Sequence, residues 1–112
     1  MTFAGNMPEG AMCQLMRANY ENLVDGAYGA ADLALTKFDK MSPDLAILIS
    51  CVGRRLVLNQ RTEEELEVVS EVLGHCPMVG FYSYGEISPL VKLGRCGLHN
   101  QTMTITLLSE KN

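Results

Sequence analysis

Tryptophan is absent from this chain, and aromatic residues of all kinds make up only 6% of its 112 positions. Large rings therefore cannot fill most of the interior. Seven methionines and many alanines must do so, and methionine, unbranched and polarizable, adapts to irregular gaps. Basic side chains are scarce too: nine Lys and Arg against 13 Asp and Glu leave a net charge of −4. Nucleic-acid binding needs clustered cations that displace counterions, so no nucleic-acid partner is expected. No apolar run approaches the roughly 20 residues of a spanning helix. The start of the chain lacks the basic region and apolar core of a signal peptide. No membrane insertion and a cytoplasmic location are therefore expected. Cys13, Cys51, Cys76 and Cys96 have no paired metal spacing and no secretory context, so they read as reduced thiols and no metal site is assigned. There is no nucleophile elbow, phosphate loop or zinc-spaced His/Glu set. No catalytic residue is assigned, and the reading is non-enzymatic.

What is there fits one soluble globular domain over residues 1–112, with 47% hydrophobic and 20% charged residues and no internal linker or repeat. Residues 1–17 read as a hairpin, with Thr2–Ala4 as one strand, Asn6–Gly10 as the turn and Ala11–Arg17 returning. From Glu21 to Lys40, apolar residues recur every three or four positions (Leu23, Val24, Ala27, Ala30, Ala31, Ala34, Leu35, Phe38), which predicts a helix packed through one side. Pro43 breaks it. Leu45–Cys51 is continuously apolar and predicts a doubly covered strand. Gly53 leads into a helix, and Thr62 with Glu65 reads as a capping box for a further helix that stops at Gly74. Met78–Ile87 and Thr102–Leu108 are the last two strands, the latter alternating Met103, Ile105 and Leu107 with threonines. The expected fold is α+β, with a mainly antiparallel five-stranded sheet in the order β-β-α-β-α-β-β and helices packed on one face.

Three clusters could carry chemistry. Cys51, Arg54 and Arg55, together with Ser50 and Gly53, lie where a buried strand enters a helix. A guanidinium there could grip a carboxylate in two-pronged fashion; the alternative is that the arginines pair with Glu64, Glu65 or Glu86 and Cys51 only fills space. Tyr82, Tyr84 and Glu86 alternate onto one strand face, where rings and a carboxylate could hold an amine; alternatively the tyrosines close a sheet edge. His99, Asn100 and Gln101 sit in a loop before the last strand and could read a polar ligand edge; alternatively they bind neighbouring backbone. His75 beside Cys76 is a weaker metal suggestion.

The blocks Gly80-Phe81-Tyr82-Ser83-Tyr84-Gly85-Glu86-Ile87-Ser88-Pro89 and His99 to Leu108, with Ser50-Cys51-Val52-Gly53-Arg54-Arg55-Leu56 and Thr2-Phe3-Ala4-Gly5 through Pro8-Glu9-Gly10, occur in the order seen in FIST proteins. The chain resembles the C-terminal domain of that family over nearly its whole length. FIST proteins are sensory proteins found upstream of bacterial signalling modules and in eukaryotic F-box proteins. The resemblance implies a fragment of a longer protein, following a larger N-terminal FIST domain. It also implies a small-molecule ligand, with amino acids or related metabolites proposed for the family, and downstream kinase, cyclase or chemotaxis partners. The residues expected to touch ligand are Arg54, Arg55, Tyr82, Tyr84, Glu86, His99 and Asn100, then Cys51 and Gln101. No cofactor is expected. Two alternatives stay open: a haem-binding nitric-oxide sensor half, for which only His75 and His99 could be axial ligands, and an interaction or homodimerisation module without ligand.

Overall fold

The computed structural model describes residues 2–3, 5–39, 42–89 and 94–110. Asn19 opens the first helix, α1 (Tyr20–Lys37): its side-chain oxygen accepts the Asn22 amide at 2.8 Å, satisfying one of the unpaired donors of the first turn. The alanine stripe is its inner side, with Ala27 and Ala31 fully buried and Leu23 nearly so. Such small side chains let α1 lie close against its neighbours. The next elements are β1 (Leu45–Cys51), α2 (Val52–Leu58), a 3-10 turn (Asn59–Arg61) and α3 (Thr62–Val72). After α3 come β2 (Met78–Ser83), β3 (Glu86–Pro89), β4 (Cys96–His99) and β5 (Met103–Leu108).

The architecture is α+β, but the sheet departs from expectation. Its order is β2-β1-β5, with β1 central, parallel to β2 and antiparallel to β5; β3 and β4 form a separate antiparallel pair. The parallel pairing follows from the chain between β1 and β2. Two helices intervene, and a crossover of that length returns a strand in the same direction. The core lies between one sheet face and α1 and α3, where Ala46, Leu48 and Met103 meet Ala27, Ala31, Val69 and Leu73. Ile105 and Leu107 pack against it, so the alternation read in β5 holds. The other sheet face is only half covered, with Ile47 and Ile49 partly exposed, so β1 is central but not the doubly covered strand its apolar run predicts.

Three local expectations are corrected. Among the described residues of 1–17 no hairpin forms. A turn closes through the Ala11 amide and Pro8 carbonyl at 3.2 Å with Gly10 at φ 77°, but the described residues flanking it pair with no strand; Ala4 of its first strand lies outside the described residues, as does Lys40 of the predicted helix end. Thr62 and Glu65 are not a capping box: Thr62 donates to the Asn59 carbonyl, and Glu65 is fully buried. Glu65, Val69 and Leu73 recur every four residues, so this glutamate belongs to the inner stripe of the helix. The predicted strand Met78–Ile87 breaks at Tyr84–Gly85, and β4 occupies what read as loop. Gly74, at φ 67°, does end α3.

Candidate functional site

Arg54 and Arg55 are neighbours in sequence with opposite fates. Arg54 is buried, and each of its three nitrogens has a partner inside the protein. Nε donates to Glu65 Oε2 at 3.3 Å, Nη2 to the Leu23 carbonyl at 2.6 Å and Nη1 to the Gln101 carbonyl at 3.4 Å. Ser50 Oγ donates to the other Glu65 oxygen at 2.8 Å. Burying an ion pair is costly unless further hydrogen bonds reach its polar atoms, and here none of those buried atoms lacks a partner. Arg54 is a brace tying α1, α2, α3 and the β4–β5 turn together. Of the two readings of this arginine, the structure shows the pairing with Glu65, which occupies the guanidinium expected to touch ligand. Arg55 points outward, its guanidinium carbon 5.2 Å from the centre of the Tyr82 ring, and it makes no ion pair among the described residues.

Tyr82 forms one end of a groove of about 190 Å³ along β2. Leu48, Leu66, Met78 and Met103 supply apolar walls, Gly80 contributes backbone, and Ser50 is the polar group deepest in it. The register places Met78, Gly80 and Tyr82 beside Ala46, Leu48 and Ser50, so the groove continues the helix-covered face to the sheet's edge. β2 pairs on one side only, with β1. Burial holds the Tyr82 phenol above its ordinary value near 10; Glu65 pushes the same way, while Arg55 and Arg54 oppose. The ring at the groove's end is accordingly a neutral hydrogen-bonding group at physiological pH.

The other predicted residues are arranged differently. Glu86 is buried, accepting Ser83 Oγ and Thr102 Oγ1, each at 2.7 Å, so its carboxylate joins the β3–β4 pair to the main sheet and is not available to an amine. Tyr84 is 89% exposed between β2 and β3, because the strand ends at Ser83 and the shared face with Tyr82 is lost. His99 ends β4 opposite Glu86, and its Nε2 donates to the Ser88 carbonyl at 3.0 Å. Asn100 and Gln101 form the exposed β4–β5 turn; Gln101, at φ 57°, packs its side chain near Gly53 and lends its carbonyl to Arg54. Cys51 is buried at the start of α2, with its amide given to the Thr102 carbonyl, and is filler. Of the nine, then, Tyr82 lines the groove and carries Arg55 against its ring, and the rest brace the fold or lie elsewhere.

Sequence reading missed Leu66 and Met103 as groove walls. Leu66 was hidden among the glutamates of α3, where only its 40% exposure beside a buried Glu65 reveals it. Neither histidine lines the groove, His99 has committed Nε2, and exposed His75 sets Nδ1 against Ser70 Oγ at 3.1 Å. Among the described residues no three His, Cys, Asp or Glu side chains group to hold a metal, and no helix is long and apolar enough to cross a membrane.

Comparison with known proteins adds lineage. The family model for the FIST C domain matches residues 1–89. Uncharacterized proteins of Mycobacterium bovis and Mycobacterium tuberculosis are each 34% identical over 62 residues, which is 55% of this chain and 16% of the relative. The chain thus aligns with only a small part of either. No solved structure matches it significantly.

Proposed function

The chain belongs to the FIST C domain family, a sensory type of signal-transduction domain, and from that premise we propose that it binds a small metabolite in the β2 groove and reports occupancy to the rest of an intracellular signalling protein. The observation that carries this reading is the groove's composition: apolar walls, one deep hydroxyl at Ser50, and at its end a tyrosine under an arginine that has no carboxylate partner among the described residues. Concave, mostly apolar sites with a few placed polar groups are the usual form of small-ligand pockets.

Signalling requires that the ligand bind two conformations with different affinity. An edge strand paired on one side is a suitable moving part, since it can close over a ligand or take up a neighbouring domain. A larger N-terminal FIST domain and downstream signalling proteins are the partners this reading calls for. Thermal-shift screening against metabolite classes tests it. One class should raise the melting temperature, with stabilisation approaching about 2.7 kcal/mol at a hundredfold excess over Kd, and Arg55→Ala should reduce the shift. No shift with any class, for the chain or for its full-length parent, would overturn it.

A further inference from the structure

We infer that the groove selects an aliphatic carboxylate without an α-ammonium group and discriminates against the corresponding zwitterionic amino acid. This rests on the reading of the groove as the ligand site. The argument is one of charge. Arg55 stacks on the Tyr82 ring that lines the groove, and of the charges acting on that phenol it is the one with no ion pair among the described residues; a guanidinium held over a ring presents a planar fork suited to a carboxylate. An ammonium needs a carboxylate or several good acceptors when it leaves water. Among the described residues no Asp or Glu lines the groove, and the two acids that are buried are already committed. Glu65 is fully buried between Ser50 and Arg54, and Glu86 is 2% exposed between Ser83 and Thr102.

An α-ammonium lies one carbon from its carboxylate, so seating the acid on Arg55 would bring the two cations together. Beyond the carboxylate, Leu48, Leu66, Met78 and Met103 favour a branched alkyl body, and a volume of about 190 Å³ admits one of a few carbons.

Isothermal titration of the 112-residue chain with 3-methylbutanoate, leucine and 3-methylbutylamine tests this. The first should bind, leucine should be weaker by about tenfold or more, as expected for a buried charge left unmatched, and the amine should not bind. Arg55→Gln should weaken 3-methylbutanoate by a similar factor while leaving the melting temperature of the unliganded chain close to unchanged. Leucine binding equally or more tightly, or carboxylate binding indifferent to Arg55→Gln, would overturn the inference while leaving the groove as a ligand site. If no probe binds and the thermal-shift screen is also flat, the site itself is wrong.

Discussion

A guanidinium's worth depends on what surrounds it, and Arg54 and Arg55 make the comparison within two residues. Truncating Arg54 would leave Glu65 charged and buried with only Ser50 as partner, and breaking such a pair typically costs about 3–5 kcal/mol. Arg55→Ala removes a surface stacking contact on Tyr82, worth about 1 kcal/mol or less. Urea denaturation should therefore show a large drop in midpoint for Arg54→Ala and little for Arg55→Ala; equal effects would refute the division of labour. Tyr82 supplies a pH test. Its phenol is raised by burial, so the fold favours the protonated form; this contribution is complete below the unfolded value near 10 and is lost as pH climbs through the higher folded value. Ultraviolet titration of tyrosinate should show one late-titrating group that vanishes in Tyr82→Phe, and that variant should lose less stability between pH 9 and 11.

Elements were legible where one periodicity ruled. The alanine stripe of α1, the apolar run of β1 and the alternation of β5 are local patterns, and each appears where it was read. What was not legible depended on distant partners. The strand read through Tyr84 is cut because Ser83 turns its hydroxyl onto the Gly85 carbonyl and Glu86, and Glu86 is drawn inward by Thr102, 16 residues later. No period-two argument contains that contact. The candidate site divided for the same reason: Arg55 and Tyr82 meet, but Glu86, the carboxylate assigned to an amine, is consumed by Ser83 and Thr102. Gly80 carries the element-scale prediction. A Cβ there would collide with the Leu48 carbonyl across the β1–β2 pair, so Gly80→Ala must force the strands apart. It should cost more than roughly 2 kcal/mol in denaturant unfolding, as mutations that strain a core backbone do. By contrast, Asn19→Ala should cost about 1 kcal/mol as loss of a helix cap. A Gly80→Ala protein as stable as the parent would show that the pairing can relax.

At the scale of the whole molecule, the chain is more open than its mass requires. A compact monomer of 12.3 kDa exposes about 6,100 Å², whereas this one exposes 8583 Å². Its radius of gyration is 15.1 Å where about 13 Å is usual for this length. Much of the surplus is an extended arm ahead of α1, on which Met12, Leu15 and Met16 are 99%, 90% and 83% exposed. More is β2, with Val79 and Phe81 over half exposed. Because the arm buries so little, removing residues 1–18 should leave the melting temperature within a few degrees of the parent, keeping Asn19 as the cap. A collapse of stability would mean that the arm packs on the body.

The proposed function puts ligand chemistry in the β2 groove and gives the β4–β5 turn a structural role. Nitrogen–proton correlation spectra recorded while 3-methylbutanoate is titrated into the labelled chain test it most directly. The account predicts that shifts concentrate at Leu66, Gly80, Tyr82 and Arg55, with His99 to Gln101 nearly still. Shifts centred on His99, Asn100 and Gln101, with the groove silent, would contradict it.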